Sequence, residues 1–570
     1  MNDQTSTQTI TGGEAAYRVL KAAGVRCCFG LLGGSMLELY DAIYADAQAG
    51  DDAIRYIGAR DERAAGHMAD ACARIGGGPG VVLGAQAGPG VINLATAVAE
   101  AQLAYSPLVV IAGAISRPDL GKDTFQEVDQ VALFKPICKR SELVTDAARL
   151  PAMLADALRL AMSGRRGPVV LHVPRDIFAA RIAAPRVGPL QLARPGAPQA
   201  RDIAAIVELL RGAERPLIVA GGGLKWAGGG EALLALAEAL RIPVVAATGH
   251  ADLMRHGHPL FAGQGGPRGN RVASRLSREA DLILALGTRF GFNSTFHSHD
   301  YISADAAIVQ VDIEASAIGR YFPVALGLQA DARAAAEAIH AAAGGLDGSG
   351  WPAWRAAFEA DMASLVAERA AEASDPATPL HPRRALGEIR AALPRDAIVT
   401  LDTGNACLQA ADRLAHYRTP GLVTPLDFGL VGFGYAAALG AQAAAPQRPV
   451  VAVIGDGGFG FTLAEISTAV HYRLPVIAVV LDNGAWGAEK AYQQEFFGKR
   501  LLGAEIDSPA CDQLARLCGA DGYRAERPGE LAAALGEALA AKRPAVIHAR
   551  IDPAALSTLR KDLFTTGERQ

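Results

Sequence analysis

The residue types best suited to chemistry lie in residues 450–487, VVAVIGDGGFGFTLAEISTAVHYRLPVIAVVLDNGAWG. Gly455-Asp456-Gly457 is followed by twenty-four residues and then Asp482-Asn483. Asp456 and Asn483 offer the hard oxygen ligands that Mg2+ prefers, and a backbone carbonyl just after Asn483 could complete the protein's share. Gly457 and Gly458 let an anion approach the backbone closely. Amides at a helix N-terminus attract phosphate, but the helix dipole supplies only about half a unit charge. A diphosphate carries several negative charges, so this pattern calls for a divalent cation beside the turn.

The elements that must position these groups follow from the hydrophobic pattern. Residues 450–454 form an apolar run expected of a buried parallel strand, 455–458 a turn, 463–472 a helix and 476–481 a second strand. That is one βαβ unit with its polar residues at the carboxyl ends of both strands, the edge where open α/β sheets bind ligands.

The rest of the chain repeats this rhythm. Helices are expected at 13–23, 36–47, 62–76, 91–105 and 148–162, with strands at 25–29, 55–57, 81–83, 108–112 and 169–173. A Pro/Gly/Ala-rich stretch at 188–200 has the composition of a linker. Beyond it, strands at 217–220, 244–247, 281–286 and 308–311 alternate with helices such as 232–240. A second linker spans 341–351, a strand is expected at 398–401, and 560–570 has the polar composition of a tail. Strand–helix alternation predicts α/β architecture with doubly wound parallel sheets, divided as 1–190, 200–343 and 375–560. The first and last of these share a strand–helix rhythm that suggests a structural repeat. Gly221-Gly222-Gly223 after the 217–220 strand lacks the spaced GxGxxG pattern, which favours packing over dinucleotide binding.

At 570 residues the chain exceeds one core, and three domains are expected. Half the residues are apolar, a fifth are charged and the net charge is −4, which gives no electrostatic case for nucleic acid or an anionic membrane. The seven cysteines are scattered and include no CxxC pair, as expected of reduced thiols. The opening MNDQTSTQTITGGE lacks the basic and apolar regions of a signal peptide, and no apolar run is long enough to span a bilayer. The expectation is a cytoplasmic protein. His250, His256 and His258, like His297 and His299, have tempting spacings, but no cysteine or carboxylate cluster accompanies them and zinc is disfavoured. His67, on an apolar-rich helix, is expected to be a core or interface histidine.

Taken together, RDERAAGHMADACAR, GPGVINLATAVAEA, FQEVDQ, GPVVLHVPRD, ADLILALGTR, VQVDIE, GFGYAAALGA and the Gly-Asp-Gly…Asp-Asn motif resemble the acetolactate-synthase-like branch of the thiamine-diphosphate enzymes over nearly the whole chain. The motif usually ends Asn-Asn, so Asp482 is a mild departure. The resemblance implies pyrimidine-binding, central and diphosphate-binding domains, thiamine diphosphate and Mg2+ as cofactors, and a homodimer or homotetramer with active sites between subunits. From a different class of protein, FAD bound at the Gly221 turn is possible but not favoured. A purified yellow protein would point to it.

The resemblance also assigns roles. Glu62 corresponds to the glutamate that hydrogen-bonds the cofactor's pyrimidine and, through the aminopyrimidine, drives ionisation of the thiazolium C2–H. From the residues alone, Glu62 would be no more than a carboxylate favoured by the helix dipole. Gln126 corresponds to a residue facing the substrate, and Gln86, Gly33 and Gly34 border the same cavity. Gly404, Asn405 and Ala406 match the loop touching the diphosphate, and Gly487 belongs to the cofactor-binding set. The Gly429 carbonyl faces the 4′-amino group. Val431 stands where a bulkier apolar side chain props the cofactor into its bent shape. Asp456, Asn483 and the Ala485 carbonyl hold Mg2+, with Gly457 and Gly458 supplying amides.

The substrate is set elsewhere, in the loops above the cofactor. GAWGAEKAYQQEFFGKRLLGAE, residues 484–505, resembles sulfoacetaldehyde acetyltransferases more than acetolactate synthases. That implies an aldehyde substrate with phosphate as acceptor, and the alternative is a decarboxylating 2-ketoacid carboligase. Lys490, Lys499 and Arg500 could answer an anionic substrate, or could belong to a solvated helix face.

Overall fold

The computed structural model describes residues 9–50, 52–346 and 351–558. The polar tail expected at 560–570, and residues 347–350 of the second expected linker, lie outside the described residues.

Three six-stranded parallel sheets carry the fold. In the first, the strands lie side by side as Arg55–Gly58, Cys27–Leu31, Gly80–Gly84, Leu108–Ala114, Val169–Pro174 and Arg140–Leu143. In the third the order is Leu422–Val423, Ile398–Leu401, Val450–Gly455, Ile477–Asp482, Ala545–Arg550 and Asp521–Ala525. Numbered by their own sequence, both sheets read 2-1-3-4-6-5, so the expected repeat is a repeat of wiring. The middle sheet runs Phe261–Gln264, Val244–Ala246, Pro216–Ala220, Leu282–Leu286, Ala307–Asp312 and Leu326–Gln329, or 3-2-1-4-5-6. The central strands are Val-, Ile- and Leu-rich and buried along their length, as sheets covered on both faces require.

Each order has a switch point where neighbouring connections leave in opposite directions, opening a crevice at the strand carboxyl ends. In the first sheet the crevice lies between the strands ending at Leu31 and Gly84, and in the third between those ending at Leu401 and Gly455. In the middle sheet it lies between the strands ending at Ala220 and Leu286. A Cβ on Gly221 would sit 2.5 Å from the Gly287 carbonyl oxygen, and one on Gly222 would sit 2.8 Å from His250 Nε2. The Gly221 turn is thus drawn close to the Gly287 backbone and to the His250 ring.

The described residues divide into two compact units. One runs to Ala193 and takes in Ala436–Gln447 and Thr462–Leu474. The other comprises Arg194–Tyr435, Arg448–Phe461 and the chain from Pro475 onward. In the first unit, the chain is drawn close where a Cβ on Gly440 would fall 1.8 Å from the Met68 carbonyl oxygen. In the second unit, a buried ion pair ties the middle and third sheets together. Lys225 Nζ lies 2.8 Å from Asp252 Oδ2, which also accepts from the amides of Gly421 and Leu422 at 2.8 and 3.1 Å.

Several expectations needed correction. The Gly-Asp-Gly-Gly segment is not a plain turn: Asp456–Gly460 winds as a short helix directly off the strand, with Asp456 in its first turn. The helix expected at 91–105 is two pieces, Pro89–Ile92 and Ala95–Leu103, separated at Asn93 and Leu94. A two-stranded antiparallel ribbon pairs Thr9–Thr11 with Arg181–Ala183. Among the described residues no helix is long and apolar enough to cross a membrane.

Candidate active site

In the first unit, the expected residues converge on the turn that follows the strand Gly80–Gly84. Glu62 begins the helix Glu62–Gly76, whose N-cap is Asp61, with the Asp61 side chain accepting from the Arg63 amide. Its Oε2 accepts a 3.0 Å hydrogen bond from Asn93 Nδ2. Its other oxygen leans over Gly90, where a Cβ would come within 2.9 Å of Glu62 Oε1 and of Gln86 Cβ. Gly90 must therefore be glycine for Glu62 and Gln86 to share this spot. The Gly34 amide donates to Gln86 Oε1 at 3.3 Å, and Gln86 Nε2 lies 2.5 Å from Gln126 Oε1. Gly33 fits flat against the neighbouring strand end, since its Cβ would fall 2.7 Å from the Ala85 carbonyl carbon. Glu62, Gln86, Gln126, Gly33 and Gly34 are thus brought together in one crevice.

Two supports were not legible in the sequence. Glu465, from the helix Glu465–His471, is buried and accepts from the Arg60 amide at 2.9 Å, two residues before Glu62. Asn93 sits in an ordinary helical stretch of sequence, and only the fold turns its amide toward Glu62. His67 is fully buried, and burial with Arg63 and Arg74 nearby pushes its imidazole down to about 3, so it is neutral at physiological pH and unsuited to act as a base there.

In the second unit, the loops after the strands Ile398–Leu401, Val450–Gly455 and Ile477–Asp482 form the other cluster. Asp456 is 5 % exposed and accepts from Ser508 Oγ at 2.8 Å. Burial and the neighbouring Asp482 push its carboxyl up to about 6. Asp482, the departure from the usual motif, has its own partners: His548 Nε2 at 2.6 Å, Arg550 Nη1 at 2.8 Å and the Gly484 amide at 2.8 Å. Burial opposes ionisation of Asp482, but these partners hold its carboxyl well below the usual range. Asp456 is thus met by the Ser508 hydroxyl, where Asp482 is met by a histidine and an arginine.

The segment after Asn483 is stitched down on both sides of Ala485. Trp486 N donates to the Ala504 carbonyl at 2.7 Å and Ile506 N to the Gly484 carbonyl at 3.0 Å, and neither bond uses the Ala485 carbonyl. The Trp486 indole covers Gly457 so closely that a Cβ there would fall 2.6 Å from its ring. Gly487 faces Asn483, with 2.8 Å between its would-be Cβ and Asn483 Nδ2.

Asp402 holds the remaining loops in place. Fully buried, it accepts from the amides of Thr403, Gly432 and Gly434 at 2.7, 3.1 and 2.9 Å, and burial pushes its carboxyl up to about 6. It therefore clamps the 403–406 loop to the segment holding Gly429 and Val431. Gly404 and Gly429 have φ of 143° and 82°, which only glycine adopts freely. Asn405 starts the helix Asn405–Arg413, and its side chain exchanges hydrogen bonds with Ser557. The backbone amides of Asn405 and Ala406 thus lie at the start of this helix, the end that attracts anions. Lys490 is paired to Glu505 at 2.9 Å, which argues against its being a cation waiting for substrate, whereas Lys499 and Arg500 are exposed.

The histidine pairs resolve into packing. His256 meets Phe261 and His416 edge-on, His258 bonds Glu238, and His297 stacks on Tyr321 at 4.0 Å.

Three family models match along the chain. Residues 10–133 match the N-terminal TPP binding domain of thiamine pyrophosphate enzymes, 203–339 the central domain and 402–549 the C-terminal TPP binding domain. The chain belongs to the thiamine pyrophosphate enzyme family. Among its relatives, the sulfoacetaldehyde acetyltransferase of Castellaniella defragrans is 34% identical over 94% of this chain and 91% of its own length. The enzyme of the same name from Rhodobacter capsulatus is 35% identical over 98% and 97%. A probable acetolactate synthase large subunit of Methanocaldococcus jannaschii is 31% identical over 96% and 92%.

Proposed function

We propose that this protein is a thiamine-diphosphate- and Mg2+-dependent acyltransferase that converts sulfoacetaldehyde and phosphate into acetyl phosphate and sulfite. The observation that carries this reading is the 484–505 segment. Its sequence resembles sulfoacetaldehyde acetyltransferases, and its fold lays Trp486 on Gly457, next to the proposed metal ligand Asp456.

The donor set fits the cofactor. Asp456, Asn483 and the Ala485 carbonyl would hold Mg2+, all oxygen ligands of the type this ion takes. The amides of Gly457 and Gly458, with the helix start at Asn405 and Ala406, would bind the diphosphate. When bound, thiamine diphosphate supplies a carbon nucleophile and an electron sink for the aldehyde. Glu62 would hold the proton at the pyrimidine ring nitrogen, with Asn93 fixing one carboxylate oxygen and Gly90 leaving room for the other. The Gly429 carbonyl would orient the amino group, and Val431 would support the bend of the cofactor. Gln126 would contact the substrate. The assembly is proposed to be a homodimer or homotetramer acting in the cytoplasm.

The second reading is an acetolactate-synthase-like carboligase, supported by the full-length similarity to acetolactate synthase large subunits. The test is to supply sulfoacetaldehyde or pyruvate, each with and without phosphate. Phosphate-dependent acetyl phosphate with release of sulfite supports the first reading. Release of CO2 with formation of acetolactate would overturn it in favour of the second.

A further inference from the structure

We propose that Gln86 is a positioning residue that fixes the amide of Gln126 so that its NH2 group, not its oxygen, is offered to an anionic oxygen of the substrate, such as a sulfonate or carboxylate. The inference rests on the reaction proposed above and names how that site selects its substrate class.

The orientation follows from hydrogen-bond logic. A backbone N–H only donates, so the Gly34 amide, 3.3 Å from Gln86, fixes the oxygen of the Gln86 side chain on that side. The Gln86 NH2 group then points at Gln126, 2.5 Å away, and two NH2 groups cannot face each other. Gln126 must therefore turn its oxygen inward and its own NH2 outward. The backbone is committed to this arrangement. Gln126 stands at φ 69°, a conformation uncommon for a residue with a side chain. Its carbonyl oxygen would lie 2.5 Å from a Cβ on Gly88, so Gly88 is the residue that admits it. Gln86, which holds Gln126, flanks the same face of Gly90 as Glu62. A neutral donor held in one orientation recognises an anionic oxygen without introducing a second cation beside a cofactor that carries its own positive ring.

The test is a double-mutant cycle on the holoenzyme loaded with thiamine diphosphate and Mg2+. Calorimetry measures binding of 2-hydroxyethanesulfonate and of lactate, unreactive alcohols related to the two candidate substrates. Gln126→Leu and Gln86→Met should each weaken anion binding about 10-fold, the loss of one hydrogen bond to a charged group. The double variant should bind no more weakly than Gln126→Leu alone, because Gln86 acts through Gln126. Cofactor affinity should be unchanged. Gln86→Glu keeps an acceptor for Gly34 but reverses the Gln126 amide, so it should lose at least as much affinity, and added salt should not restore it. Should Gln86→Met not fold, Gln86→Glu carries the same contrast.

Parental affinity in Gln86→Met, losses that multiply in the double variant, or no binding of either anion by the parent enzyme would each overturn the proposal. If neither sulfoacetaldehyde nor pyruvate is turned over, the reaction assignment fails, while the binding cycle still reports on Gln86.

Discussion

The Asn93 side chain donates to Glu62 Oε2 across 3.0 Å, from a helix break that sequence periodicity does not announce. One carboxylate oxygen is occupied by this bond and the other is left over Gly90. Glu62→Gln should lower kcat by about 10^2–10^4-fold, the range for a positioned proton-transfer group, with thiamine diphosphate affinity nearly unchanged by calorimetry. Asn93→Ala should lower kcat by about 10-fold, the cost of one hydrogen bond to a charged group. Unchanged turnover in the Glu62 variant would refute its assigned role.

Asp456 is met by a hydroxyl, that of Ser508. Asp456→Ala should weaken Mg2+-dependent retention of thiamine diphosphate by more than about 100-fold, the upper end for losing an outer partner of a metal ligand. Titrating the cofactor with and without Mg2+ checks this. Equal affinities in parent and variant would remove Asp456 from the metal site.

Gly457 and Trp486 should behave as a pair. Gly457→Ala pushes a methyl group into the indole ring and should cost about 1–3 kcal/mol at the diphosphate loop, read as weaker cofactor binding. Trp486→Leu in the same chain should recover part of that loss by making room. Simple addition of the two losses would show that the ring does not press on the turn.

The Lys225–Asp252 pair sets an acid limit. Burial pushes the Asp252 carboxyl up, but Lys225, His416 and the Gly421 amide outweigh it and hold the folded-state value below 3.8. A carboxyl depressed by folding contributes stability that is complete above its unfolded value and lost as pH falls through its folded one. Melting curves should therefore show this contribution intact above about pH 4 and fading below it. Lys225→Met should destabilise by about 3–5 kcal/mol at neutral pH, because it strands a buried charge.

The sequence was most informative where strands are buried on both faces. Ile398–Leu401, Val450–Gly455 and Ile477–Asp482 are apolar runs, and they appear within a residue or two of their expected places. The edge strands Arg140–Leu143 and Asp521–Ala525 escaped notice because they are half solvated and carry polar residues, so no apolar run marks them. The site divides in the same way. Asp456 and Asn483 declare themselves by ligand type and spacing, whereas Asn93, Asp402 and Glu465 act through hydrogen bonds that reach residues far away in sequence. Nothing local distinguishes such a side chain from an ordinary helix or loop residue.

The two short stretches Ala436–Gln447 and Thr462–Leu474 have a practical consequence for dissecting the gene. They belong to the compact unit built mainly from the N-terminal third of the chain, where Gly440 meets Met68 and Glu465 holds the Arg60 amide. A fragment truncated at Ala193 would be missing these pieces of its own interior. It would present the backbone of the helix bearing Glu62 to water, and expression of that fragment alone should yield aggregate rather than a working half-enzyme.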